Sequence, residues 1–182
     1  RLCYTRAHST KVRNCMFEQA PRAGFARRLA AIIYDVLVLC AVIMAAAGLA
    51  FALVIGLEKI GLLDLSAYED TAAFFGQGLQ RWLYLLYLLS AGVGFYAYFW
   101  LRAGQTLGMK AWRLLLLQQN GQQLTPAQAI FRALLAFGGL GNFWLFLRWG
   151  KGLALQDQLT NTQMVLISKE QSKQLNLYNT AR

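Results

Sequence analysis

Asp35 is the side chain in this sequence whose type and place most invite chemistry. It is the single charge in the run Leu29 to Leu57. An ionisable group within a membrane helix is costly and is by default a functional suspect. Such a carboxylate can exchange a proton for a cation, or it can be neutralised by an arginine. Arg113, Arg132 and Arg148 are the candidate partners. Other chemistry is poorly supplied. His8 is the only histidine and sits in the N-terminal tail, which argues against Ser-His-Asp and Cys-His catalysis. Cys3, Cys15 and Cys40 show no CxxC spacing, so neither a disulfide framework nor a zinc site is expected. No catalytic residue, metal ligand or cofactor is therefore assigned, and the chain is not expected to be an enzyme. The stretch GQTLGMK departs from the Walker pattern, because Lys110 is two residues after Gly108 and Ala111 follows it. A lipid phosphate is a better candidate contact for Lys110 than a nucleotide.

The elements that must position Asp35 are membrane elements. The run Leu29–Leu57 has 29 residues, beyond the roughly 20 that span a bilayer core. A cleaved signal peptide is disfavoured, since its apolar region is about 7–15 residues and should hold no Asp. A second run, Trp82 to Leu101, has 20 residues bounded by Arg81 and Arg102. Trp82, Tyr84, Tyr98, Phe99 and Trp100 at its ends resemble interfacial aromatic belts. Ser90 and Gly94 give a small-xxx-small spacing, which either admits a second helix or is ordinary glycine tolerance.

Charge sets the expected topology. The chain has 182 residues, 14% of them charged, and a net charge of +10. Basic residues are not interleaved with aromatics outside the apolar runs, so nucleic acid is not an expected partner. Residues 1–28 carry seven basic side chains against Glu18, a net of +6, while the loop 58–81 nets −2 and residues 102–126 net +3. The positive-inside rule then places the N-terminus and 102–126 in the cytoplasm and 58–81 outside. The third apolar region, Ala127 to Trp149, has Gly138-Gly139-Leu140-Gly141 at its centre and Arg132 and Arg148 near its ends. It reads as a re-entrant hairpin, with both arginines snorkelling to one face, or as a third span. Arg113–Gln118 and Thr162–Ile167 are short strand candidates that could pair, and Asn120-Gly121 between them is a type I′ hairpin signal.

The expected fold is an all-α membrane protein: a small helical bundle of two full transmembrane helices plus the third apolar region, with a short cytoplasmic β-hairpin. Residues 1–22 read as a disordered N-terminal extension, with Met16 a plausible start. Residues 23–168 read as the membrane domain and 169–182 as a polar C-terminal tail.

The motifs resemble those of the RDD family, named for one arginine and two aspartates. GFARRLAAIIYDVLVL supplies Arg28 and Asp35, GQTLGMKAWRLLLLQQNGQQLTPAQAIFRALL carries the glycine-lysine-strand-turn-helix pattern, and LQDQLTNTQMVLI supplies Asp157. One departure is Gln156, where a basic residue or His would be expected before the second Asp. The resemblance implies a small multi-pass module of the bacterial inner membrane, for which transport of ions or small solutes is often proposed.

Arg28 and Asp35 are seven residues apart on one helix face, a rise of about 10 Å, so each needs other partners. The expected charge cluster is Arg28, Asp35 and Asp157 on the cytoplasmic side, supported by Gln105, Lys110, Arg113, Arg132 and Arg148. Structural pairing, transport chemistry and headgroup binding all stay open for Asp35. The candidate functions are cation/proton exchange or small-solute transport, against a non-transporting adaptor or assembly factor that binds a partner through its cytoplasmic strands. Expected partners are the lipid bilayer, a small cation or proton, and a second copy or a membrane partner protein.

Overall fold

The structure is a computed structural model that describes residues 20–136 and 155–173. The elements in chain order are α1 (Phe25–Lys59), α2 (Thr71–Gly76), α3 (Gly78–Ala103), α4 (Leu107–Ala111), β1 (Leu114–Gln118), α5 (Pro126–Ala136), α6 (Leu155–Leu159) and β2 (Thr162–Leu166).

The two apolar runs fold as α1 and α3, and protein covers little of either. In their most apolar windows only 6% of α1 and 17% of α3 is buried. Leu37, Met44 and Leu49 of α1 are each about two-thirds exposed or more. A soluble core helix would be covered, whereas a helix apolar on its open faces needs lipid as its solvent. The 35 residues of α1 extend about 50 Å, so α1 is longer than the bilayer core. Gly94 on α3 meets no other chain within 4 Å of a built Cβ, so no described helix uses the Ser90/Gly94 spacing.

The chain divides into two compact units. In the unit of residues 37–95, Phe51 of α1, Phe75 of α2 and Tyr84 of α3 stack at centroid distances of 5.0 to 6.3 Å from Phe51. The Tyr87 hydroxyl donates to Ala46 O at 3.1 Å. Asp70 caps α2 by accepting from Ala73 N at 2.7 Å.

The other unit holds residues up to 36 and from 96 onward. Its centre is β1 paired antiparallel with β2, Leu114 opposite Leu166 through Gln118 opposite Thr162. Leu114, Leu115, Leu116 and Leu117 are all buried, so both faces of β1 are covered. The sheet is not a hairpin, because α5 and α6 intervene between its strands. The turn at Asn120-Gly121 is also not type I′, since Gly121 has φ +80 but Asn120 is not among the positive-φ residues. Gly121 N donates to Gln118 O and Gln118 N to Gln122 O, both at 2.9 Å. That is the three-residue loop that ends in a left-handed glycine; the chain folds back onto Gln118 alone and then runs on to α5 without adding a strand beside β1.

Both sheet edges have company. Leu166 N donates to Pro21 O at 2.8 Å and Ala23 N to Met164 O at 2.9 Å, and Arg22 bridges Val165. Residues 20–22, read from sequence as part of the extension, thus lie along β2. On the other edge Leu116 N donates to Gly104 O at 2.9 Å. Gly104 has φ +68, and a Cβ there would stand 3.1 Å from Leu116 O, so the approach needs glycine. Residues 169–173 are helical, and Ser168 and Gln171 cap their start reciprocally. Of the third apolar region only Ala127–Ala136 is described, within α5. Its glycine centre and Arg148 lie outside the described residues, as do residues 1–15 and the end of the tail.

Candidate functional site

Two buried stations join the first part of α1, residues 25–36, to the other elements of its own unit. The first is built on Arg28, in the opening turns of α1. Its Nη1 donates to Asp157 Oδ2 at 2.7 Å, and its Nε donates to Ala23 O at 3.1 Å. Asp157 sits on α6, whose C-terminal end turns into β2 through Asn161 at φ 50. Asparagine tolerates this left-handed position after a helix. Arg132 comes from α5 and reaches Asp157 Oδ1 with its Nη2 at 2.6 Å. Its Nη1 donates to Thr162 Oγ1, which is 2.7 Å from Thr160 Oγ1. The Arg132 guanidinium also lies over the Trp100 ring, 5.6 Å from its centroid.

Local sequence explains how α5 delivers Arg132. Thr125 and Gln128 form a reciprocal cap, Gln128 Oε1 accepting from Thr125 N and Thr125 Oγ1 from Gln128 N. Pro126 takes the first helical position, where a missing N–H costs nothing. Gln128 Nε2 then donates to Thr160 O at 3.1 Å and ties α5 to the α6–β2 junction.

All three charged groups are enclosed, with Arg28 2%, Arg132 1% and Asp157 0% exposed. Burial pushes the Asp157 carboxyl up, but the guanidiniums of Arg132 and Arg28 outweigh it and hold the carboxyl below the usual carboxylate range.

The second station is Asp35, 3% exposed and two turns further along α1. Its Oδ2 accepts from the Thr106 hydroxyl at 2.5 Å and its Oδ1 from Gly108 N at 2.9 Å. Thr106 is the N-cap of α4 and also accepts from Met109 N at 3.2 Å. A Cβ on Gly108 would collide with Ala31 O and come within 2.9 Å of Asp35 Oδ1. Glycine is therefore what lets α4 close on α1. Both donors to Asp35 are neutral.

The expected cluster is therefore divided in space. Arg28 and Asp157 meet directly, and Arg132 is the supporting arginine that joins them. Asp35 forms no ion pair with Arg28 or Arg132 in the described residues. Gln105 is 4% exposed and donates from Nε2 to Leu114 O at 2.7 Å, fixing the start of β1. Lys110 and Arg113 are exposed and stand outside both stations. The Arg113 backbone, at φ 55, turns α4 into β1. Trp100 departs from the belt reading, being 5% exposed beneath Arg132, while Trp82 and Tyr98 remain 65% and 58% exposed. Sequence reasoning did not assign Thr106, Thr160, Thr162 and Gln128 to the site. Thr106 lies within GQTLGMK, but hydroxyls and amides carry no partner information in a single sequence.

A sequence model of the RDD family matches residues 22–161. This chain belongs to the RDD family. Neither a curated protein nor a solved structure shows significant similarity to it. The matched residues include Arg28, Asp35 and Asp157, so in this RDD chain the arginine and second aspartate form one ion pair while the first aspartate is held elsewhere.

Proposed function

We propose that this RDD protein is a multi-pass module of the bacterial inner membrane that moves a small cation or proton, with Asp35 as the group that exchanges it. The observation that carries this reading is the pair of neutral donors on Asp35. An ionised carboxylate in a membrane helix wants a counter-charge. Arginines answer that need at Asp157, where Arg28 and Arg132 ion-pair with the carboxylate. At Asp35 the donors among the described residues are Thr106 and Gly108. Each carboxylate oxygen keeps a lone pair, so a proton or a monovalent cation can serve as the compensating charge.

Charge bias supports a topology with both termini in the cytoplasm, the loop 58–81 outside, and Ala127–Trp149 re-entering from the inside. The module is read as non-enzymatic. The adaptor alternative needs a strand edge free for augmentation, and the hydrogen bonds from Leu166 N to Pro21 O and from Leu116 N to Gly104 O occupy those edges.

Proteoliposomes test the proposal. A pH gradient should drive cation flux through wild type, and Asp35→Asn should abolish it while retaining a cooperative unfolding transition. Equal flux in a folded Asp35→Asn would rule the reading out.

A further inference from the structure

The Arg28–Asp157–Arg132 cluster is incompletely satisfied. Among the described residues, two guanidiniums share one carboxylate, which leaves one excess positive charge in their contact shell. Three N–H donors around it have no acceptor among the described residues: Arg28 Nη2, Arg132 Nε and Trp100 Nε1. They belong to side chains 2%, 1% and 5% exposed. The three side chains are neighbours through successive contacts: both arginines bind Asp157, and the Arg132 guanidinium covers the Trp100 ring. A buried donor without a partner is costly, and a buried uncompensated charge more so.

The chain has little with which to answer that charge. Asp35 accepts from Thr106 and Gly108 and lies about 10 Å of helix rise from Arg28. The stretch from Phe137 to Ala154 contains no Asp or Glu. Water could accept from the donors but would leave the charge in place.

We propose that Arg28, Arg132 and Trp100 form a binding site for a small monovalent anion of halide type. Guanidinium and indole N–H groups are pure donors, so these three side chains offer hydrogen bonds to an anion and none to a cation, while the Asp157 carboxylate is engaged by both arginines. The enclosure of all three side chains selects a small ion. This site is separate from Asp35 and does not depend on the exchange reading.

The test uses the full chain in neutral phosphatidylcholine nanodiscs. Unfolding temperature is followed as sodium gluconate is replaced by sodium chloride at constant ionic strength. The expected result is a saturable rise with chloride, as for any ligand bound only by the folded state. Trp100→Phe removes one charge-assisted hydrogen bond and should weaken the apparent chloride affinity about tenfold. Bromide gives a second readout, because contact quenches indole emission. Wild type should show a saturable quenching component that Trp100→Phe lacks. Superimposable wild-type curves in chloride and gluconate would overturn the site. So would an unchanged chloride response in Trp100→Phe. If phosphatidylglycerol in gluconate gave the full stabilisation and removed the chloride response, a lipid phosphate would be the occupant and the small-ion assignment would fall.

Discussion

Asp157 and Asp35 are both buried carboxylates of the same unit, 0% and 3% exposed, yet their surroundings are opposite. Asp157 accepts two arginines and holds α1, α5 and α6 together. Asp35 accepts a hydroxyl and a backbone N–H and holds α4 against α1. The difference teaches that burial alone does not assign a role to an acidic residue. A carboxylate whose counter-charges are built in is committed to one ionised state and to structure. A carboxylate with neutral partners can change its state without breaking an ion pair.

The largest expected effect comes from breaking the committed site. Asp157→Ala leaves two buried guanidiniums unopposed and should cost about 3–5 kcal/mol, read as a lower unfolding temperature. Replacing Arg28, Asp157 and Arg132 together by Met, Leu and Met should cost less than Asp157→Ala alone, because no buried charge remains. A triple variant less stable than the single one would mean that the cluster contributes net stability as an ion network.

A steric change at the other station should cost less. Gly108→Ala places a methyl against Ala31 O and the Asp35 carboxylate, and should destabilise by about 1–3 kcal/mol, as overpacking does. A thermal scan equal to wild type would show that α4 can back away from α1 at little cost. Thr106→Val removes the hydroxyl donor to Asp35 and should cost about 1 kcal/mol or somewhat more.

Acid sharpens the comparison further. The folded carboxyl of Asp157 is held below its ordinary value. Its stabilising contribution is therefore full above the unfolded carboxylate pKa of about 3.9 and is lost as pH falls below that, through the lower folded value. Unfolding temperature should drop below about pH 4 in wild type, and the drop should be shallower in the triple variant. Identical acid profiles would remove Asp157 as a cause.

The two helices and the strand pair were legible because each rests on a strong local pattern. An apolar run of 29 residues exceeds the apolar region of a signal peptide and suits a span, and the segments that pair are apolar and of matching length. Asn120-Gly121 misled in part, since the dipeptide marks a turn but does not say what the strand before it pairs with. The glycine alone takes the positive φ, and the partner of β1 lies 44 residues beyond Gln118, at Thr162. Arg113, Arg132 and Arg148 were equivalent as candidate partners, because charge does not encode distance. Arg132 goes to Asp157 and not to Asp35 because the Thr125–Gln128 cap and the register of α5 set it beside α6, while Arg148 lies outside the described residues. Trp100 read as an interfacial residue because tryptophan suits both a headgroup region and the face beneath a guanidinium.

The most direct test of the central claim sets Asp35→Asn beside Asp157→Asn in one liposome preparation, measuring unfolding temperature and pH-driven cation flux on both. Asp157→Asn should lose several kcal/mol of stability, while Asp35→Asn should lose about 1 kcal/mol, keep its fold and lose the flux. Equal destabilisation by the two substitutions, with flux retained in Asp35→Asn, would contradict the division of roles.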